Sequence, residues 1–358
     1  MRSFEIAGHG LAAVTAALAV VVLAAAGPAA AKPPYPTVGT IHRDDPAINE
    51  LLPEDAEIQI LAKGFQWSEG PVWVPPGLWG DDEQGFLVFS DVPANIAYRW
   101  SEKGGLEPFI KPSGFTGVGP YSREPGSNGL ALDADGNLMS CEHGDRRVSR
   151  MEWGKGKVTL AGHHEGGRFN SPNDLAVHSS GAIYFTDPPY GLPGGADSDH
   201  RELDVFGTYL IRPDGEVALV AGDLRRPNGV ALSADESIVY VAQSERPALI
   251  HAYPVLDDLT LGEPKVFADL TEQLGQGLPG GLDGLKIDVH ENVWTTGPGG
   301  VWIFNREGTL LGRIETGHRT ANLCFGGDDG TMLYLTIDHM IGRVQTLVRG
   351  AAVGVPGS

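Results

Sequence analysis

The sequence predicts an all-β protein, a six-bladed β-propeller that follows a signal peptide. The chain of 358 residues contains 50 glycines and 26 prolines and shows no long helical periodicity after its first thirty residues, which favours short strands joined by tight turns. One motif recurs six times: a side chain bearing oxygen, usually followed by glycine, opens an alternating apolar strand. Successive copies begin between 39 residues (Asp283 to Asn322) and 59 residues (Glu69 to Asn128) apart, close to the length of a four-stranded blade.

The N-terminus predicts export. Arg2 precedes an uninterrupted apolar run over residues 11–26, and the small residues 29–31 provide a cleavage pattern, so residues 1–31 are interpreted as a signal peptide. The alternative is an uncleaved anchor, but the run is short for a membrane span. We therefore expect a periplasmic or secreted protein, with no stable membrane insertion once the signal is cleaved.

The rest of the chain is expected to form one propeller. Residues 32–56 are polar and rich in proline, which indicates an extended lead-in. The propeller is predicted over residues 57–350, with the alternating segment 57–62 completing the last blade and closing the ring, and residues 351–358 forming a flexible tail. Two long loops, residues 112–127 and 188–205, are expected at the face where the inner strands begin, where they would select the substrate.

Charge and cysteine content limit the partners. The net charge of -20 disfavours nucleic acid and anionic lipid as ligands. Cys141 and Cys324 are the only cysteines, and both lie in apolar, strand-like stretches. Two buried free thiols are slightly favoured over the disulfide that export would permit. The oligomeric state stays open.

The six motif residues, called the ring residues below, are predicted to converge on the propeller axis: Glu69, Asn128, Asn173, Asn228, Asp283 and Asn322. Oxygen ligands without histidine or cysteine favour calcium or magnesium over zinc. The alternative is that Asn or Asp before Gly only forms turns. For a single copy this interpretation is favoured over a cation site, whereas for six copies in register the cation site is favoured. Asp283 is predicted to activate water because glycines flank it and Lys286 lies on the same strand.

The motifs together resemble the gluconolactonase family, which includes regucalcin and has diisopropyl fluorophosphatase as a more distant relative. The resemblance covers residues 55–348 and is carried by four segments: Trp67 to Trp73 (WSEGPVW), Arg168 to Asp174 (RFNSPND), Arg226 to Val230 (RPNGV) and Leu282 to Gly284 (LDG). It implies a six-bladed propeller with a divalent cation in its central channel that hydrolyses lactones or, in some members, organophosphates. It also implies that the cation ligands are Glu69, Asn173, Asn228 and Asp283, with Asp283 as general base or nucleophile.

One position departs from the family pattern. Members of the regucalcin type carry a substrate-binding arginine where this chain has Ser171, and Arg168 lies three residues earlier. Asn128 and Asn322 match no cation ligand of the family, so both are assigned to substrate contact or to support of the ligands, as is Arg168. His143 is interpreted as a substrate contact or proton shuttle, with a purely structural histidine as an equal alternative.

The expected function is that of a carboxylic ester hydrolase which opens a sugar lactone or similar cyclic ester. A divalent cation, calcium first and zinc, magnesium or manganese as alternatives, would polarise the carbonyl while Asp283 deprotonates water. Two alternatives remain: phosphotriester hydrolysis at the same cation, and a non-catalytic propeller that binds a sugar or partner with a purely structural cation.

Overall fold

The computed structural model describes residues 35–79, 84–152 and 154–351. The predicted signal peptide, residues 1–31, lies outside the described residues, as does all of the predicted tail except Ala351. Within the described part, none of the helices is long and apolar enough to cross a membrane.

Six antiparallel sheets form the blades of the predicted propeller. The first three are built from consecutive strands: blade 1 from Ser68–Val74, Phe86–Asp91, Ile96–Ser101 and Gly105–Ile110, blade 2 from Ser127–Leu132, Leu138–Glu142, Arg147–Glu152 and Gly156–Ala161, and blade 3 from Leu175–Val177, Ile183–Thr186, Thr208–Ile211 and Val217–Ala221. A small hairpin, His163–His164 with Gly167–Arg168, leads from blade 2 towards blade 3.

The last three blades follow the same order, with strands from the N-terminus added at the outer edge of two of them. Blade 4 contains Pro227–Leu232, Ile238–Gln243, Leu249–Pro254 and Lys265–Asp269, blade 5 contains Leu285–Ile287, Val293–Gly297, Gly300–Phe304, Leu310–Glu315 and Thr40–Arg43, and blade 6 contains Thr320–Gly326, Met332–Ile337, Met340–Gln345, Ile58–Lys63 and Thr37–Val38. Short 3₁₀-helices cover Pro46–Glu50, Gly195–Asp197 and Gln273–Gly275.

The early strand closes the ring, as predicted. Ile58–Lys63 pairs antiparallel with Met340–Gln345, with Lys63 opposite Met340. The sequence did not predict that the lead-in contributes strands of its own. Thr37–Val38 extends blade 6 and Thr40–Arg43 extends blade 5, so a few consecutive residues hold two neighbouring blades together.

Apolar side chains are buried between blades, with no single large core. Phe169, Phe185 and Tyr209 form one cluster between blades 2 and 3, where the two phenylalanine rings pack edge to face 5.0 Å apart. Trp294 of blade 5 and Leu335 of blade 6 belong to another. Each such side chain contributes roughly 2–3 kcal/mol by leaving water, so every blade is stabilised chiefly by its neighbours.

Three of the four glycines that follow a ring residue, all except Gly70, serve blade packing without adopting a positive φ. A Cβ on Gly129 would lie 2.7 Å from the carbonyl oxygen of Asn173, and one on Gly229 would lie 2.2 Å from that of Asp283. The amides of these two glycines donate hydrogen bonds to the same oxygens, at 2.7 and 3.0 Å. Gly129, Gly229 and Gly284 all have ordinary backbone angles, not positive φ. The motif therefore lets adjacent inner strands approach closely around the channel.

Candidate active site

Irregular backbone positions the ring residues. The pairing register of blade 1 shifts between Glu69 and Val72, that of blade 2 between Ser127 and Leu130, and that of blade 4 between Pro227 and Val230. The corresponding residues of blades 3 and 5, Asn173 and Asp283, stand just before the first strand. A bulge interrupts pairing and redirects a side chain, and bulges are common beside active sites.

Two ring residues supply carboxylates without a counter-ion. Glu69 is 3% exposed, and its two oxygens accept hydrogen bonds from the Trp67 indole at 3.3 Å and the Gly70 amide at 3.1 Å. Asp283 is partly accessible from the channel. Within residues 35–79, 84–152 and 154–351, no Lys, Arg or His lies within ion-pair distance of either carboxylate.

Burial raises the pKa of both carboxyl groups. Removal from water is the largest cause for Glu69, and the charge of Asp174 adds to it. For Asp283 the pKa is raised well above its ordinary value, first by burial and then by the charges of Glu69, Asp174 and Glu124. The charge of Glu69, on blade 1, therefore acts on Asp283, which precedes the first strand of blade 5. A divalent cation between them would reverse both shifts.

Ring amides complete an oxygen-rich wall. The side-chain oxygens of Asn128 and Asn228 are buried and have no hydrogen-bond partner among the described residues. Buried acceptors rarely stay unpartnered in proteins unless an ion, water or ligand satisfies them. No three Asp, Glu, His or Cys side chains of the described chain cluster at metal-binding distance, so any cation here would depend on amide oxygens. Two carboxylates with amide oxygens fit a hard cation such as calcium.

His143 lies behind the ring amides. The ring is fully buried, Nδ1 lies 3.1 Å from the carbonyl oxygen of Glu124, and Nε2 lies 3.5 Å from the amide nitrogens of Asn128 and Asn173. Burial lowers the pKa of His143 to about 4, so the imidazole is neutral. Its contacts are therefore with the side chains that form the site.

Asn322 differs from the other ring residues. Its oxygen accepts a hydrogen bond from the Leu323 amide at 2.9 Å, and its nitrogen donates to Asp174 at 3.3 Å. Asp174 also accepts from the Leu175 amide at 2.9 Å and lies 3.8 Å from the Lys286 ammonium. Asp174, Lys286 and Asn322, the Asp174 cluster below, form a mutually satisfied group beside the ring.

The two predicted rim loops reach the site. Tyr190, in the loop 188–205, lies next to Ser244 and Asp283, and burial raises its pKa. Glu124, in the loop 112–127, holds His143 through its carbonyl oxygen. Both loops therefore contact groups that surround the ring, as the sequence predicted.

Ser171 explains the departure from the family pattern. The serine is fully buried, and its hydroxyl donates to the Pro188 carbonyl at 2.5 Å and accepts from the Gly191 amide at 2.9 Å. It thus fixes the start of the loop 188–205. The guanidinium of Arg168 donates to the Asp145 carbonyl at 2.8 Å, and its backbone amide donates to Glu202, so its described contacts are outside the ring.

Sequence analysis did not predict four residues that surround the candidate site: Glu124, Asp174, Tyr190 and Ser244. Only Asp174 left a signal, because it occupies the position where four other copies of the motif have glycine. The other three lie on loops or strand ends, and only the fold brings them to the ring. Both cysteines are buried and free, and burial raises their pKa values, so neither thiol is reactive.

Comparison with known proteins identifies the family. A model of the SMP-30/gluconolactonase/LRE-like region matches residues 67–339. A gluconolactonase of Zymomonas mobilis is 38% identical over 321 residues, which cover 88% of each chain. A lactonase of Staphylococcus epidermidis is 28% identical over 179 residues, about half of each chain.

Solved structures agree with the fold. A gluconolactonase from Xanthomonas campestris superposes with a TM-score of 0.72 at 30% identity, covering 88% of this chain and 99% of that chain. A calcium-binding regucalcin from Agrobacterium tumefaciens superposes with a TM-score of 0.62 at 20% identity, covering 81% of this chain and 94% of that chain. The second likeness supports the architecture alone.

Proposed function

The chain belongs to the SMP-30/gluconolactonase/LRE-like family, and from that membership and the chemistry of its channel we propose that it is a divalent-cation-dependent lactonase that opens a sugar lactone. The observation that carries the cation dependence is the ring itself. Glu69 and Asp283 are carboxylates without a counter-ion, and they stand beside the unpartnered amide oxygens of Asn128 and Asn228. Such an arrangement is unfavourable without a cation and favourable with one.

Glu69, Asn173, Asn228 and Asp283 would hold the cation, and Asn128 would stand close to it. Bound there, a cation supplies Lewis-acid stabilisation of the negative charge that develops on the lactone carbonyl oxygen. Calcium is the first choice because every ligand is oxygen, and magnesium, manganese or zinc are alternatives.

Asp283 is proposed as the general base. Asp283 is partly exposed, whereas Glu69 is buried and accepts hydrogen bonds from Trp67 and the Gly70 amide. Asn228 lies next to the Asp283 carboxylate. From this position Asp283 takes the proton of the attacking water as the carbon–oxygen bond forms, and later delivers it to the ring oxygen that leaves. The alcohol and the carboxylic acid of the opened lactone are the product.

The rim loops are proposed to bind the sugar and limit access of bulk water. Tyr190 is nearly buried at the edge of the site and reaches the surroundings of Asp283. Because Ser171 replaces the arginine expected from the family resemblance, recognition of the hydroxyl groups would come from the loops and ring amides. The small-molecule lactone is therefore the proposed partner, with its exact identity set by these loops.

The direct test is proton release from glucono-1,5-lactone by the purified protein, first with chelator and then with calcium, magnesium, manganese or zinc restored. A trace without enzyme is required because this lactone also hydrolyses by itself. We expect turnover above that trace only when a cation is restored. Turnover that persists in chelator would contradict the cation dependence, and absence of turnover with several lactones and every cation would contradict the lactonase assignment.

Asp283→Asn tests the base. The amide keeps an oxygen for the cation but cannot accept the proton, so we expect turnover to fall by about 10³-fold or more even at a calcium concentration that saturates the variant. Calorimetric cation binding measured beside the rates separates loss of the base from loss of affinity. Retained turnover would remove Asp283 from the role of base.

A further inference from the structure

We propose that His143 and Ser244 are positioning residues for cation binding, which turn the side-chain amides of Asn128, Asn173 and Asn228 so that their oxygens face the channel. The inference rests on the proposed function and assigns roles to two residues outside the predicted ligand set. An asparagine can bind a cation only through its oxygen, yet nothing in the side chain itself prevents the NH₂ group from occupying that place.

His143 fixes two of these amides through its tautomer. The partner of Nδ1 is the carbonyl oxygen of Glu124, 3.1 Å away, and a carbonyl can only accept, so Nδ1 carries the proton. Nε2 of the neutral ring then presents a lone pair. The amide nitrogens of Asn128 and Asn173 each lie 3.5 Å from Nε2, at the long limit of a hydrogen bond, and this lone pair is their common acceptor. Both NH₂ groups are thus held away from the channel.

Ser244 fixes the third amide by the same logic. Its hydroxyl donates its single proton to the carbonyl oxygen of Leu282 at 2.7 Å. The oxygen can then only accept, and it accepts from the amide nitrogen of Asn228 at 2.9 Å. In both cases a backbone carbonyl accepts the only hydrogen bond that the positioning group can donate. A lone pair of the positioning group is then left to accept from the asparagine NH₂.

The state of the asparagine oxygens agrees with this assignment. Those of Asn128 and Asn228 are buried and unpartnered in the described part of the chain, although an unsatisfied buried acceptor costs about 1–3 kcal/mol. Asn322 provides the contrast, because it contacts neither positioning residue and its oxygen bonds to the Leu323 amide. An oxygen is left free where a positioning residue holds the NH₂ group.

The rim loops anchor both positioning residues. A Cβ on Gly191 would lie 2.4 Å from that of His143, so this glycine lets the loop 188–205 pack directly on the imidazole, while the loop 112–127 supplies the Glu124 carbonyl. Tyr190 of the former loop lies next to Ser244. The segments proposed to select the substrate thereby also determine the orientation of the cation ligands.

The test measures calcium affinity of the full chain by calorimetry. His143→Leu removes the acceptor and Ser244→Ala removes the hydroxyl, and we expect each to raise the calcium Kd by roughly 10- to 100-fold, the usual effect of losing a residue that orients a metal ligand. His143→Gln retains a terminal oxygen that can accept from both asparagines, so its Kd should stay within about threefold of wild type. Melting temperature is recorded for every variant with chelator present.

His251→Leu is the matched control. This histidine lies on the third strand of blade 4, and neither of its ring nitrogens has a hydrogen-bond partner in the described structure, so the same substitution should leave the calcium Kd unchanged. If His143→Leu does not fold, Ser244→Ala and His143→Gln still decide the outcome.

The outcomes separate the inference from the proposed function. A wild-type protein that binds calcium, with unchanged Kd in His143→Leu and Ser244→Ala, overturns the positioning role alone. An equal loss of affinity in His143→Leu and His143→Gln also overturns it, because the retained acceptor should rescue binding. If the wild-type protein binds neither calcium, magnesium, manganese nor zinc at any concentration tested, both the cation site and the roles derived from it are overturned.

Discussion

The propeller buries carboxylates in two neighbouring environments that differ in one respect. In the Asp174 cluster, the carboxylate of Asp174 accepts hydrogen bonds from Leu175 and Asn322 and lies 3.8 Å from the ammonium of Lys286. At the ring, no Lys, Arg or His of the described chain lies within ion-pair distance of Glu69 or Asp283, and the charge of Glu69 helps to raise the pKa of Asp283.

This difference separates a structural acid from a functional one. A buried charge with partners stabilises the fold or leaves it unchanged, whereas two unpaired charges in the same space destabilise it. The ring residues therefore lower the free energy of unfolding of the cation-free protein, and a bound cation would raise it again. The following predictions test whether the two environments respond in opposite ways.

The largest effect is expected for Glu69→Gln. The substitution removes one of two charges that a cation would neutralise, so calcium affinity should fall by ~100-fold or more. The same change should raise the unfolding midpoint of the chelated protein, because an unpaired buried charge is lost. Calorimetry and urea unfolding measure the two effects on one preparation. If Glu69→Gln is less stable than wild type in chelator, the ring and the Asp174 cluster do not differ in the way described above.

The pH dependence of stability should also show the cost of burying the Glu69 carboxylate without a cation. Burial raises the folded-state pKa of Glu69 to about 8, from an ordinary value of about 4 in the unfolded chain. Between these values the folded protein holds more protons than the unfolded one. Stability without a cation therefore decreases as pH rises through this window, by about 1.4 kcal/mol per pH unit for each extra proton.

Urea unfolding of the chelated protein from pH 5 to pH 8 measures this slope. Glu69→Gln is the control, since it should have a flatter slope than wild type, and saturating calcium should flatten the wild-type slope as well. Equal slopes for the two proteins in chelator would show that Glu69 does not titrate in this range.

Two asparagines at equivalent motif positions sharpen the comparison. Asn228 leaves its oxygen free, whereas Asn322 uses its oxygen on the Leu323 amide. Asn228→Ala should weaken calcium binding roughly 10- to 100-fold. Asn322→Ala should change it less than about threefold while lowering stability by about 1 kcal/mol. Calorimetry with both variants decides this, and similar losses of affinity would place Asn322 among the ligands.

The Asp174 cluster should respond in the opposite direction to Glu69, by losing stability. Asp174→Asn replaces a satisfied carboxylate by an amide of the same shape, so the free energy of unfolding should fall by roughly 1–3 kcal/mol. Lys286→Met removes only a partly exposed partner at long distance and should cost about 0–1 kcal/mol. Urea unfolding of both variants in chelator measures these losses. An increase in stability for Asp174→Asn would make this carboxylate equivalent to Glu69.

The sequence predicted the fold because the blade repeat leaves a local mark. Four of the six copies have a glycine where the inner strands approach, and an apolar alternation follows the ring residue in each copy, so the motif is visible within six residues. The strand at 57–62 could be identified as the closing strand for the same reason. Thr37–Val38 and Thr40–Arg43 were missed, since two- and four-residue edge strands carry no periodicity.

The site was predictable only in part. Repetition marked the ring residues, but not which of them leave their oxygens free, because that depends on His143 and Ser244. Those contacts join residues brought together only by blade order and loop packing. Ser171 illustrates the same limit: the sequence shows that an arginine is missing, whereas only the structure shows a hydroxyl that fixes the rim loop.

The strand that closes the ring also sets an order for folding. Gln59 and Arg343 are paired neighbours and share a side-chain hydrogen bond at 2.9 Å, although 284 residues separate them along the chain. The last blade therefore cannot be completed until nearly the whole polypeptide has left the ribosome. Until then the outer strands of blade 6 lack the inner strands with which they pair, and the neighbouring blades lack one of the surfaces that cover them. A chain truncated before Met340 should accordingly be a target for proteolysis rather than a smaller propeller.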